Sequence, residues 1–218
     1  MNGSKTHSLA HPWYSPANCL FRWVRLLLMG VALVTNACMA ESSEPAPAAS
    51  VEKLHAGLLD IMQHGATRNF QARAATIAPV IREVFDFDTI SRVVTGRYWS
   101  TLSATQKDAF TRVFTRLSIA TYTENFKSFG GERFQTRDTV SKGPNRLVAT
   151  ALTSADGTDV TLNYLLSLRD GKWRIVNVIA EGVSDLSLKR AEYTAVISSD
   201  GIDALIAKLS AKVASYER

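Results

Sequence analysis

The chain has 218 residues, of which 46% are hydrophobic and 21% are charged, and this composition is typical of a folded globular domain. It excludes a disordered tail and a low-complexity fibre, and a mean hydropathy of -0.02 excludes a protein with many membrane spans. Three of the 25 basic residues and none of the 20 acidic residues lie within positions 1–40, so only +2 of the net charge of +5 belongs to the remainder, which argues against a nucleic-acid-binding face.

The first 40 residues have the order of a secretory signal peptide. Arg22 and Arg25 precede an apolar run over 26–34, and the small residues of 37–40 follow it. Because this run is shorter than the roughly 20 residues that span a bilayer, we predict export with cleavage after Ala40. The alternatives are a retained membrane anchor and a lipid attached at Cys38.

Both cysteines, Cys19 and Cys38, lie in this removable segment. The exported chain would therefore contain no disulfide and no cysteine-ligated zinc. Residues 41–50, which are rich in Ala, Pro and Ser, predict a flexible linker to the folded part.

Residues 50–131 have the apolar spacing of helices. We predict one helix from an N-cap at Ser50 to Gly65, and a second amphipathic stretch in which a new helix begins at Pro79. A short helix, capped by Asp88 and closed by Gly96, follows.

The longest predicted helix begins at a capping box formed by Ser103 and Gln106. Its apolar residues repeat at helical spacing over about 26 residues, until the pair Gly130-Gly131.

After position 131 the hydrophobic period changes to two, which predicts strands over 134–140, 146–152, 160–168 and 172–180. Short links with tight-turn signals, such as Asp156-Gly157 and Asp170-Gly171, make this sheet an antiparallel meander. Because the third strand alternates cleanly, one face of the sheet is apolar and must be covered by helices.

The chain then returns to helix after an N-cap at Ser184 and again after Asp200-Gly201. The predicted fold class is α+β: a helical N-terminal half, a four-stranded antiparallel sheet and C-terminal helices that enclose an apolar centre.

A search for reactive groups finds no phosphate-binding loop, dinucleotide-binding glycine motif or zinc-protease motif. His55 and His64 are nine residues apart, on opposite sides of a helix, so they cannot share a metal through it. Ser184 suits a helix cap better than a nucleophile. We therefore predict no catalytic residue, no metal site and no cofactor.

Apolar surface is then the conspicuous feature of the sequence. The long helix and the sheet present ten large apolar residues toward each other: Phe110, Phe114, Leu117, Tyr122, Phe126, Leu162, Tyr164, Leu166, Trp173 and Ile175. Such residues form either a packed core or the wall of a cavity for an apolar ligand, and periodicity does not distinguish the two.

The segment GKWRIVNVIAEGVS at 171–184, followed by Arg190 and by GIDAL at 201–205, resembles the periplasmic lipid-carrier family (toluene-tolerance, MlaC-like). The resemblance extends more weakly over about residues 51–215 and includes Tyr98-Trp99. Asn177 departs from it, because the wider family often has Asp at this position.

Three shorter matches make the chain most similar to the hopanoid-associated, HpnM-like branch of that family. They are the pairs Phe85-Asp86 and Gly131-Glu132 and the triplet at 184–186.

This resemblance implies a lipid-carrier domain over 51–218 with a greasy cavity between helices and sheet. It implies a periplasmic shuttle that carries a hopanoid or a phospholipid between the inner and outer membranes, without covalent chemistry. An inner-membrane ABC transporter complex and membrane surfaces would be its partners. The ten apolar residues become candidates for lipid contact, and Lys189 and Arg190 for a cavity opening or a docking surface.

Two other functions stay open. A small pocket enzyme of the isomerase or dehydratase type would need an acid or base in the pocket, for which Asn177, Asp138 and Tyr164 are the candidates. A membrane-associated assembly factor would instead have a filled core.

Overall fold

The computed structural model describes residues 46–217, so the predicted signal at 1–40 and the first half of the predicted linker lie outside the described residues. The helices are α1 Pro47–Gln63, α2 Phe70–Val84, α3 Phe87–Thr95, a 3₁₀ helix Gly96–Thr101, α4 Ala104–Asn125 and α5 Asp185–Tyr216. The strands are β1 Arg133–Lys142, β2 Asn145–Thr153, β3 Asp159–Arg169, β4 Lys172–Ala180 and β5 Val183–Ser184. Within this range no helix combines the length and apolarity needed to cross a membrane.

The strands form one antiparallel sheet in the order β1-β2-β3-β4-β5, which confirms the predicted meander. The structure adds β5, a two-residue strand that pairs with the end of β4. At the β3–β4 turn both Asp170 and Gly171 have positive φ, 50° and 71°, as a two-residue hairpin turn requires. The sheet is therefore fixed largely by local turn chemistry.

The helices cover one face of the sheet, as its alternating pattern requires. α1 packs against β1, β2 and β4, while α4 packs against α2 and α5. Leu54, Ile77, Phe110 and Ile175 are fully buried where these layers meet. The predicted α+β architecture is thus confirmed.

The first two helices differ from the prediction. α1 begins at Pro47, so Ser50 is not the N-cap, and the predicted linker is shorter than 41–50. The Ser50 hydroxyl instead donates to the backbone oxygen of Trp173 at 2.6 Å. Pro79 lies inside α2 and starts no new helix, because the buried Ile77 and Ile81 hold both sides of it against the core.

The short helix α3 is capped by Asp86, not Asp88. The Asp86 carboxylate accepts the N–H of Thr89 at 2.9 Å, while Asp88 lies in the first turn, where an acidic side chain is also favourable. Its predicted end at Gly96 is confirmed.

The long helix α4 has the predicted capping box but only 22 residues. α5 begins after the predicted N-cap, since the Ser184 hydroxyl accepts the N–H of Ser187. The predicted break is a kink at Gly201, where φ is 83° and ψ is 172°. The kink turns the last helical segment back over α4.

Candidate functional site

A cavity of about 800 Å³ lies between the helices and the sheet and is open to solvent. Phe85 at the end of α2, together with α3, α4, β3, β4 and both segments of α5, contributes to its wall. Its volume falls near the upper end of the roughly 300–1,000 Å³ of typical ligand pockets. The helices and sheet therefore enclose space that the side chains of the described residues do not fill.

Six of the ten residues predicted to contact lipid line this cavity. They are Phe114, Leu117, Tyr122, Phe126, Leu162 and Tyr164. Lipid contact by these six stays a prediction, and the structure brings them together around one cavity.

The other four, Phe110, Leu166, Trp173 and Ile175, lie in the packed core and not on the cavity wall. Leu166 and Ile175 are register partners just beyond the irregularity between Leu165 and Leu166, which separates them from the cavity end of β3. Phe110 stacks on Phe114, with 5.9 Å between ring centroids, one helical turn away from the space. The apolar spacing predicted that these four residues face the interior, but it did not predict how far each of them lies from the cavity.

Further wall residues come from two regions that sequence reasoning did not assign to a site. Phe85, Phe87 and Ile90 approach from the start of α3, and the two segments of α5 contribute Tyr193 and Leu209. The apolar residues of α5 recur at helical spacing, so the sequence contained a signal for their inward face. The residues around α3 gave no such signal, because a helix cap interrupts their spacing.

All of the charged residues that line the cavity lie on α5. Lys189 forms an ion pair with Asp185, and Lys208 forms one with Glu192 at 3.2 Å across the kink. Lys212 also lines the cavity, and its Nζ lies 4.9 Å from the ring centre of Tyr216. Among residues 46–217 no carboxylate oxygen lies within 4.0 Å of this Nζ. The wall therefore carries one cation that is not neutralised by a neighbouring acid.

The residues proposed for acid–base chemistry are not arranged for it. Asp138 is exposed on β1 and does not line the cavity. Asn177 does line it, but its side-chain amide donates to Ser184 at 3.0 Å and its oxygen accepts the N–H of Leu186 at 3.2 Å. Asn177 thus ties β4 to the start of α5.

Tyr164 is the third such residue, and it is paired with a buried histidine. Its hydroxyl lies 3.1 Å from Nε2 of His55, whose ring stacks on Phe134 with 4.1 Å between centroids. Burial raises the pKa of Tyr164, and it also raises the pKa of Tyr122 and Tyr193. These phenols stay neutral at physiological pH.

Burial lowers the pKa of His55 from the ordinary 6.5 to about 4, so the folded protein holds this side chain neutral. The resulting stability is fully present above pH 6.5 and is lost as the pH falls through the window from 6.5 to 4. Between pH 7 and pH 4.5 we expect the wild type to lose about 2–3 kcal/mol more unfolding free energy than His55→Gln. Urea denaturation at the two pH values measures this difference.

His64→Gln is the matched control, because His64 is exposed at the end of α1. The Nδ1 atom of His64 lies 3.1 Å from an Asp60 carboxylate oxygen, so the pH dependence of this variant measures what an exposed, paired imidazole contributes. An identical pH dependence in wild type and His55→Gln would show that the buried imidazole is not the cause.

Metal ligation has no visible basis in the part of the chain that the structure describes. Over residues 46–217 no group of three His, Cys, Asp or Glu side chains is placed to hold an ion.

Known proteins similar to this chain include lipid-binding transport proteins. The intermembrane phospholipid transport system binding protein MlaC of Haemophilus influenzae is 24% identical over 121 residues, which is 53% of this chain and 56% of that protein. This chain therefore spans just over half the length of that relative.

A solved structure with a similar fold is the phospholipid-binding protein from Ralstonia solanacearum in complex with a phospholipid. The TM-score is 0.68 at 18% identity, over 78% of this chain and 96% of that one. The sequence model of the MlaC protein family matches residues 52–211, which is well over half of the chain. On the strength of that match, this chain belongs to the MlaC family.

Proposed function

We propose that this protein is a periplasmic carrier that holds a lipid in the cavity between its helices and its sheet. The observation that carries this proposal is the open cavity of about 800 Å³, whose wall is mostly aromatic and aliphatic. A packed core with the same residue types would leave no such space. The proposal also agrees with a relative that serves intermembrane phospholipid transport and with a structural neighbour that binds a phospholipid.

The cavity lowers the cost of moving a lipid through water. An acyl chain of about 16 carbons that leaves a bilayer faces on the order of 13 kcal/mol, at about 0.8 kcal/mol for each methylene. Apolar walls that replace the bilayer offset most of that cost. No covalent step is needed for loading or release.

The head group would lie at the charged residues of α5 that line the cavity, which we call the charged rim. They are Asp185, Lys189, Glu192, Lys208 and Lys212. Burying an unpaired charge is costly, so a phosphate would stay near solvent while the chains enter between α4 and β3. Lys212 is the cation at this rim that has no acidic neighbour within ion-pair distance among the described residues. This position favours a phospholipid as the cargo.

A hopanoid is the second candidate cargo, and the aromatic content of the wall favours it. Eight aromatic rings face the cavity: Phe85, Phe87, Phe114, Tyr122, Phe126, Tyr164, Tyr193 and Tyr216. A rigid polycyclic body packs better on flat rings than a flexible chain does. This cargo would also place the protein in the hopanoid-associated branch.

The remaining parts of the proposal concern transport between membranes. An N-terminal signal at 1–40 would export the chain, and residues 51–218 would form the carrier. It would receive or deliver its lipid at an inner-membrane ABC transporter complex and at membrane surfaces.

The test is to purify the protein from the periplasm of its native host. We expect native mass spectrometry to show a bound species, and solvent extraction to release a phospholipid or a hopanoid. The mass of the extracted lipid distinguishes the two cargoes. Lipid-free protein that also takes up no lipid from vesicles would refute the carrier function and favour the pocket enzyme or the assembly factor.

A further inference from the structure

A second pocket, of about 400 Å³, lies on another side of α5 from the lipid cavity. The 3₁₀ helix supplies Arg97 and Tyr98 to it, and α5 supplies Arg190. Small side chains complete the wall: Ala191, Thr194, Ala195 and Ser198. The two arginines are 93 positions apart in the chain and meet only through the fold.

Arg190 lies beside the glycine that ends α3. Gly96 has a φ of 57°, and a Cβ at this residue would lie 3.5 Å from both Nε and Nη2 of Arg190. The guanidinium is therefore packed directly against the glycine at the end of α3. The side chain lines this pocket and is not among the residues that line the larger cavity.

Arg97 is held by an aromatic side chain and not by an acid. Its guanidinium carbon lies 5.0 Å from the ring centre of Tyr98, and its Nη2 donates to the Tyr98 hydroxyl at 2.9 Å. Hydrogen bonds from Ser198 and Arg97 lower the pKa of Tyr98. The tyrosine oxygen is thus already engaged, while the other N–H groups of Arg97 stay available to a ligand.

The charge of this pocket is uncompensated. Its wall contains two guanidinium groups and no carboxylate. Among the described residues, neither arginine has a carboxylate oxygen within 4.0 Å. The lipid cavity differs, because two of its three lysines are paired with acids.

We propose that the pocket formed by Arg97, Tyr98 and Arg190 is a second binding site, and that its ligand is a phosphate group. Two guanidinium forks match the geometry of phosphate oxygens. A free phosphate or a phosphate monoester, with a negative charge between one and two, also balances two cations better than a single carboxylate does. The pocket is small and polar, so it suits a head group or a free phosphate and not an acyl chain. This inference does not depend on what the larger cavity holds.

The experiment compares Arg97→Gln and Arg190→Gln with a matched control. Arg82→Gln removes the same charge from an exposed position on α2 that lines neither cavity. Inorganic phosphate is titrated into each protein in phosphate-free buffer, with binding followed by NMR shifts of arginine Nε–H groups. We expect millimolar phosphate to bind the wild type, and each pocket variant to bind about tenfold more weakly or worse, as for lost hydrogen bonds to a charged group.

Vesicles that contain phosphatidylglycerol distinguish the two sources of the phosphate. Co-sedimentation that both pocket variants lose and Arg82→Gln keeps identifies a lipid head group as the ligand. Phosphate binding without co-sedimentation identifies a soluble phosphate group. The proposal is overturned if neither probe depends on Arg97 and Arg190, or if Arg82→Gln weakens binding equally, because attraction would then be a property of net charge alone.

Discussion

Replacing Leu162 by arginine is expected to empty the lipid cavity. Leu162 lies on β3, half-buried, with its side chain on the cavity wall. An arginine there would place a charge among aromatic and aliphatic groups, and an unpaired buried charge is costly. We expect lipid affinity to fall by about a hundredfold, equivalent to about 3 kcal/mol. Native mass spectrometry of protein loaded from phospholipid vesicles measures the occupancy.

Leu168→Arg is the matched control, because the same substitution then lies on the same strand but outside the cavity. Leu168 is 45% exposed and does not line the space. This variant should load lipid as the wild type does. Both proteins must keep the wild-type circular dichroism spectrum, since a misfolded Leu162→Arg would lose lipid because its fold is lost and not because of the charge in the cavity. A folded Leu162→Arg that retains its lipid would contradict the proposed binding mode.

The sequence predicted the fold well where local interactions determine the structure. The capping box at Ser103 and Gln106, the hairpin turn at Asp170-Gly171 and the cap at Ser184 all depend on residues close in the chain. The error at Pro79 has the opposite origin. A proline inside a helix is locally unfavourable, and long-range burial on both sides of it outweighs that local cost.

The residues of the cavity wall were harder to predict from the sequence, because hydrophobic periodicity identifies the inward face of an element but not how deeply each of its residues is buried. Leu162, Tyr164 and Leu166 share one face of β3, yet the first two line the cavity and Leu166 is sealed in the core. The register irregularity between Leu165 and Leu166 separates the first two residues from Leu166. No glycine, proline or other turn residue at that point in the sequence predicts it. Periodicity therefore identifies the inward face of β3 but not which residues of that face line the cavity.

Contacts between segments that are far apart in the chain could not be predicted from the sequence. Arg190 stood out as a basic residue near a helix start, but its position against Gly96 requires α5 to pack on α3. Lys208 and Lys212 follow the kink at Gly201 and line the same cavity as Lys189, which precedes it. The convergence of both α5 segments on one cavity thus depends on one backbone conformation in the middle of that helix.

The distinction between core and wall can be tested with two phenylalanines at different places along the apolar side of α4. Phe110 is fully buried, away from the cavity, and its ring also meets Tyr193 edge-on at 6.1 Å between centroids. Phe110→Ala would leave a void in dense packing, so we expect it to lower the unfolding free energy by about 3–5 kcal/mol. Phe126 borders space that is already open. Phe126→Ala removes fewer close contacts and should cost less than about 2 kcal/mol.

Urea denaturation of lipid-free protein is the measurement, because a bound ligand would add its own stabilisation to both variants. Lipid loading should show the reverse order, with Phe126→Ala weakened and the folded fraction of Phe110→Ala loading normally. Equal destabilisation by the two substitutions would mean that Phe126 is packed as tightly as the core. The cavity would then be smaller in solution than its wall residues indicate, and a lipid could enter only by displacing them.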